Sequence, residues 1–347
     1  MTTIRHLAGR AARAAALGAL AASATIAPAA AQSRTGTAAA EFLAIPVGAR
    51  ASAMGGAFGA TATDGTALYW NPSGLGSLRA TTVTAEYAPW LAGLDFSFAA
   101  VAVPTSLGTF SGGITALLVP EMEKTVSGSN AGQLGTGETF DAGFYAVSLG
   151  YGRALTDRFS IGGTVKVVSE RIDEYSATGL AFDVGTLFTT PFNGLRLGAA
   201  IQNYGTKMQM EGPLYRVDPV PGQAGNNNDI RAEGVTDAFD MPLAMRVGLA
   251  TEVYQTADTR VTLAVDALTP SSAAQHVNLG AEVGLLGGLV AVRGGYQELF
   301  MEDSPRSFTV GGGLNYTFGG VGFRADLAYE RWEYFDDVTR FTLAFEL

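Results

Sequence analysis

Phe159-Ser160-Ile161-Gly162-Gly163-Thr164-Val165-Lys166-Val167 decides the fold class. In an extended chain successive side chains point to opposite faces, so Phe159, Ile161, Val165 and Val167 share one face, and Ser160, Thr164 and Lys166 the other. The same division recurs downstream. Leu243, Met245, Val247, Leu249 and Val253 oppose Arg246 and Glu252, and Val261, Leu263 and Val265 oppose Arg260, Thr262 and Asp266. Val277, Leu279 and Val283 oppose Asn278 and Glu282, while Phe323, Leu327 and Tyr329 oppose Arg324, Asp326 and Glu330. The final segment sets Phe341, Leu343, Phe345 and Leu347 against Arg340, Thr342 and Glu346. Each segment has one greasy and one charged face, which is the signature of antiparallel strands.

Alternation does not say which face lies inside, and composition supplies that information. Hydrophobic residues make up 47% of the chain and charged ones 16%, against about a quarter charged in a soluble domain. No run of about 18 apolar residues is present after the N-terminal region, so spanning helices are excluded. A closed transmembrane barrel accounts for the missing charge, with its apolar face toward lipid and its charged face toward the lumen. Aromatic residues near segment ends, Tyr151, Phe188, Tyr254, Tyr296, Tyr316 and Trp332, fit interfacial girdles. Glycine, at 45 of 347 residues, exceeds its usual share of about 7% and is tolerated in strands where another backbone comes close. Cysteine is absent, so no disulfide scaffold exists. The net charge of −10 argues against nucleic acid as a partner.

Residues 1–31 read as a signal peptide. Arg5, His6, Arg10 and Arg13 precede an alanine-rich stretch, and Ala29-Ala30-Ala31 suits cleavage before Gln32. Residues 32–79 lack alternation and form a separate N-terminal segment; residues 80–347 carry the barrel. The spacing gives about fourteen strands, an even number as bacterial barrels require. They begin near Ala80, Gly93, Leu107, Phe140, Arg158, Gly179, Leu195, Leu243, Arg260, His276, Val290, Ser307, Val321 and Thr339. Connections after even-numbered strands are tight. Two long ones, residues 120–139 and 205–241, follow odd strands and are expected outside the cell. Loops of that length either cover the surface or bind a partner.

The N-terminal segment contains Gly48-Ala49-Arg50-Ala51-Ser52-Ala53-Met54-Gly55-Gly56-Ala57 and then Tyr69-Trp70-Asn71-Pro72-Ser73-Gly74-Leu75. These stretches resemble the N-terminal signature of the PorV/PorQ family, which is related in architecture to the FadL long-chain fatty-acid transporters. Val265-Asp266, Asn278-Leu279-Gly280-Ala281-Glu282 and Arg293-Gly294-Gly295-Tyr296 extend the resemblance into the C-terminal half. Ser73 departs from it, where the family more often has alanine. The resemblance implies a fourteen-stranded outer-membrane barrel with the N-terminal segment folded into the lumen as a hatch. It further implies a role in transport or in protein secretion of the type IX kind, with secretion-system protein or secreted cargo as partner. Uptake of hydrophobic small molecules and structural assembly are the alternatives. Gly48, Arg50, Met54, Gly55, Gly56, Asn71, Pro72 and Gly74 are its candidate hatch residues. Structural roles and direct contact with a substrate or partner both remain open for them.

Catalytic options are few. His276 is the sole histidine after residue 31, beside Ser271 and Ser272, and an interfacial role suits it better than that of a base for a serine. No metal-binding cluster, phosphate-cradling lysine loop or cofactor motif is present, so no enzyme and no cofactor is expected. The charged face supplies Lys166, Arg246, Arg260, Arg293, Arg324 and Arg340 against Glu170, Glu252, Asp266, Glu282, Asp326 and Glu330. Opposite charges are expected to pair across the lumen and seal it; a charge-lined selective channel is the second reading.

Overall fold

The computed structural model describes residues 36–127, 133–192, 194–212 and 236–347. The signal-peptide reading and most of residues 205–241 therefore fall outside the described residues. Among the described residues, sixteen strands run in chain order. The first seven are β1 (Thr82–Pro89), β2 (Asp95–Thr105), β3 (Gly108–Ser127), β4 (Gln133–Thr156), β5 (Phe159–Ile172), β6 (Tyr175–Thr189) and β7 (Arg196–Gly205). A two-residue pair, β8 (Met208–Gln209) and β9 (Ala238–Phe239), stands apart from the barrel. The rest are β10 (Ala244–Gln255), β11 (Arg260–Pro270), β12 (His276–Leu285), β13 (Val290–Leu299), β14 (Arg306–Phe318), β15 (Val321–Trp332) and β16 (Val338–Glu346).

Fourteen of these form one closed antiparallel barrel in which each strand pairs with its chain neighbours. β1 pairs with β16, from Thr82 opposite Glu346 to Tyr87 opposite Phe341. Closure leaves no edge to satisfy, which is what a strand-built structure needs in lipid. Among the described residues, no helix is long and apolar enough to cross a membrane.

The period-2 pattern maps directly onto the wall. Along β6 the odd-numbered residues 177–187 are buried and most even-numbered ones exposed, so Asp183 is inside while Leu180, Phe182 and Val184 are outside. Leu149, Val165, Val247, Leu249 and Leu263 are likewise exposed on the outer face, an apolar surface that only lipid covers favourably. Leu249→Arg is expected to weaken folding into bilayers by about 2–4 kcal/mol, the depth-dependent cost at the membrane midplane. Urea titrations in vesicles measure it. A loss as large in Leu249→Ala would show that packing and not lipid sets the effect.

Two sequence expectations need correction. Residues 120–139 are mostly not a loop, because β3 and β4 extend past their neighbours and remain paired as far as Ser127 opposite Gln133. Register shifts between Val119 and Met122 and between Glu123 and Thr125 break the alternation there, because a bulge displaces the side-chain parity. Trp332 does not belong to the outer girdle. It shares parity with Asp326 and Glu330, points inward, and meets Trp90 edge-on at 5.6 Å.

The short connections 106–107, 157–158, 190–195, 256–259, 286–289 and 319–320 gather at one end of the barrel with the start of β1 and the end of β16. The opposite end carries the β3–β4 tip and the connection that leaves β7. These are called the short-turn end and the long-loop end.

Candidate functional site

The interior is occupied by the chain before β1. Residues 39–79 lack the alternation needed to join the wall, and alanine and glycine let the backbone lie close against it. The segment enters at the long-loop end, where the Ala39 amide donates to the Asp240 carbonyl and the Ala40 amide to Glu170 at 3.0 Å. It descends through a 3-10 turn (Glu41–Ala44), a helical turn (Ala49–Ala53), a second (Ala67–Trp70) and a 3-10 stretch (Pro72–Ser77). It leaves at the short-turn end, where Gly76 meets the backbone of Arg153 and Ala154.

The signature residues hold this path. The Gly48 amide donates to Glu86 at 2.6 Å. Gly55 and Gly56 have φ of +64° and +70°, a left-handed bend that favours glycine. A Cβ on Gly55 would also lie 2.6 Å from the Leu279 carbonyl oxygen. Met54 is fully buried against Gly280. The Asn71 side chain donates to the carbonyls of Gly59 and Thr186 at 2.8 and 3.1 Å, and accepts from the Ser73 amide and hydroxyl at 3.2 and 2.6 Å. Pro72 lies on Gly162 and Gly185, and Gly74 on the Ala62 carbonyl. The Ser73 hydroxyl thus makes a hydrogen bond that alanine would lack.

Arg50 is the charged member. Its Nε donates to Glu282 at 2.9 Å and its Nη1 to Asp64 at 3.3 Å. Glu282 also receives Arg293 at 2.7 Å and Arg260 at 3.0 Å. Arg293 continues to Asp326 at 2.6 Å, and Arg324 joins Asp326 to Asp64, each at 3.4 Å. Asp326 sits two strands from Arg293, and the pair meets over Gly313, where a Cβ would stand 2.1 Å from Asp326 Oδ1. Three further groups stand apart. Arg246 binds Asp266 at 2.9 Å and the Gly56 carbonyl at 2.8 Å; Lys166 binds Asp183 at 2.7 Å; Arg340 is enclosed between Glu330 and Glu86.

All twelve charged residues singled out from the sequence face inward, but they do not pair across the lumen. Their partners lie on nearby strands or on the inner segment, because that segment fills the interior and strands about 4.8 Å apart are within reach of one side chain. Glu252 pairs with Arg196 at 2.7 Å. Asp64, Glu86, Asp183 and Arg196 were missed. Glu86 and Asp183 share parity with buried small residues, and Asp64 is the sole acid between Glu41 and Glu86; those signals were available.

The inner segment separates two cavities. One of about 220 Å³, at the long-loop end, is lined by Leu43, Pro46, Tyr69, Trp70 and Leu268 and also by polar groups that include Gln202, Asn203, His276, Glu298 and Arg306. The Trp70 indole donates to the Val47 carbonyl at 2.6 Å and lies 4.6 Å beneath the Arg246 guanidinium, so its ring is fixed. Burial pushes the Glu41 carboxyl above its ordinary value, against the pull of the Ser272 hydroxyl at 3.4 Å. His276 Nδ1 lies 2.9 Å from the Ala274 carbonyl oxygen, and among the described residues no serine hydroxyl bonds the ring. The second cavity, of about 250 Å³ at the short-turn end, is walled chiefly by charged groups including Arg50, Arg196, Arg260 and Glu282. Phe58, Trp70 and the Arg246–Asp266 pair stand between the two.

Known structures share this architecture. The toluene transporter TodX of Pseudomonas putida is similar over 86% of this chain and 96% of its own, with 12% identity and a TM-score of 0.56. The CymD monoaromatic hydrocarbon channel is similar over 87% and 96%, with 12% identity and a TM-score of 0.53. A FadL homologue of Pseudomonas aeruginosa is similar over 84% and 95%, with 12% identity and a TM-score of 0.50. The fold is thus that of the FadL-type outer-membrane barrel. No protein-family model and no curated protein sequence matches the chain.

Proposed function

We propose that this protein is a non-enzymatic outer-membrane channel that takes up hydrophobic small molecules, with residues 32–79 as its hatch and the long-loop end outside the cell. One observation carries the reading: a cavity at the long-loop end, closed below by the inner segment, sets Leu43, Pro46, Tyr69, Trp70 and Leu268 beside polar groups that include Gln202, Asn203 and Arg246. Ligand sites are of this kind, mostly apolar with a few placed polar groups. The Arg50 contacts to Glu282 and Asp64 are non-covalent, so the hatch can shift without breaking the wall. The transport of monoaromatic hydrocarbons by neighbours of this fold supports the same substrate class. A secretion role on the PorV/PorQ pattern has no observation in its favour, so uptake replaces it as the principal reading.

Ala44 lines the upper cavity, and Ala44→Trp fills it. Uptake of radiolabelled toluene by cells carrying the variant is expected to fall at least about tenfold, the equivalent of 1.4 kcal/mol. The heat-modifiable mobility of the folded barrel should be unchanged. Undiminished uptake in a folded variant, or native co-purification with a large secretion component, would count against the reading.

A further inference from the structure

We infer that the cavity at the short-turn end is a binding subsite for a small oxyanion, a carboxylate or a phosphate. Five arginines line it: Arg50, Arg196, Arg260, Arg293 and Arg324. Four carboxylates answer them: Glu252 and Glu282 in the wall, and Asp64 and Asp326 behind it. Five guanidiniums offer about 25 N–H donors, and four carboxylates about 16 lone-pair sites. Asp64 already accepts from the amide and hydroxyl of Thr66. The cluster is therefore one positive charge in excess and short of acceptors.

The shortage is visible in particular atoms. Arg196 spends Nη2 on Glu252, while its buried Nε–H has no acceptor. Arg260 touches Glu282 through Nη2 alone and is half exposed, with the rest of its fork free to turn into the cavity. Glu282 and Arg293 are each 2% exposed, so the floor of the site is fixed. A volume of about 250 Å³ admits a carboxylate or phosphate with several waters. The guanidinium fork fits both anions, with two parallel bonds each. The upper cavity lacks this excess: among its lining residues two arginines, Arg246 and Arg306, are matched in number by two carboxylates, Glu41 and Glu298.

The anion has two sources: the head group of an amphipathic solute descending past the hatch, or a free anion entering from the short-turn side. The subsite does not depend on uptake, because binding is measured on the purified barrel without transport. Calorimetric titration of the full chain in neutral detergent at low salt uses inorganic phosphate, octanoate and octanol as probes. At least one anion is expected to bind more tightly than octanol, and to weaken in about 0.5 M NaCl through screening. Arg260→Gln and Arg196→Gln should each weaken anion binding about tenfold, as loss of a charge-assisted bond does. Arg260→Lys should weaken it less, keeping the charge but losing the fork. Octanoate displaced by phosphate and held more tightly identifies the head group as the source. Phosphate alone identifies the free anion. Heat-modifiable mobility verifies that each variant is folded. If both anions bind no better than octanol, or if folded Arg260→Gln and Arg196→Gln bind them as the unaltered chain does, the subsite does not exist.

Discussion

Gly295→Leu is expected to drive residues 54–56 off the barrel wall and raise the ion conductance of the protein in planar bilayers. A Cβ at this position would lie 2.1 Å from the Gly55 amide nitrogen and 2.3 Å from the Met54 carbonyl carbon. Both are backbone atoms, so no rotamer change relieves the overlap. Overpacking of a core costs about 1–3 kcal/mol where neighbours can yield, and here only the inner segment can. The barrel itself should persist, because Gly295 pairs through its backbone with Gly280 and Thr309. Gly294→Leu is the control. Its side chain points to the outer face, where a Cβ meets only the Thr309 carbonyl oxygen at 3.9 Å. Equal conductance in the two variants would show that the segment does not restrict the lumen.

Glu282→Leu should destabilise the protein by about 3 kcal/mol, the low end of the cost of breaking a buried ion-pair network, because the buried arginines keep Asp64 and Asp326. Glu282 is 2% exposed and accepts from three arginines, Arg50, Arg260 and Arg293. Its removal leaves Arg50 with Asp64 and Arg293 with Asp326 as sole carboxylate partners, and unlatches the inner segment from β12. Glu252→Leu breaks one pair whose members are each 21% exposed, and should cost about 1 kcal/mol or less. Urea midpoints of the two variants in lipid vesicles compare them. Similar losses would mean that Glu282 is one pair among several and not a hub.

Both predictions rest on contacts that join the inner segment to distant strands. Gly295 was legible in the sequence as a glycine in a strand, but not as the seat of Gly55, because 240 positions of chain separate them. Glu282 was legible as an inward carboxylate. That it gathers three arginines follows from the barrel register, which sets Glu282 opposite Arg293 and Thr262. The glycine run Gly311-Gly312-Gly313 is similar: Gly311 lies on Ala53, and Gly313 clears the path of the Arg293–Asp326 pair. Only Gly312, on the outer face, is left without such a task.

By itself the sequence determined the strand number, the two faces of each strand and the grouping of tight turns at one end. Those properties are local, since side-chain direction in a strand depends only on residue parity. It also marked residues 32–79 as different, because they lack that parity. The tertiary structure decided the rest. It showed that β3 and β4 outrun their neighbours, that Trp332 turns inward, and that the charges pair beside and beneath one another. It also placed a cavity of mixed apolar and polar lining at one end of the lumen and an arginine-rich one at the other. Pairing depends on register and on what fills the interior, and both are fixed only when β1 meets β16 and the barrel closes around the segment before it.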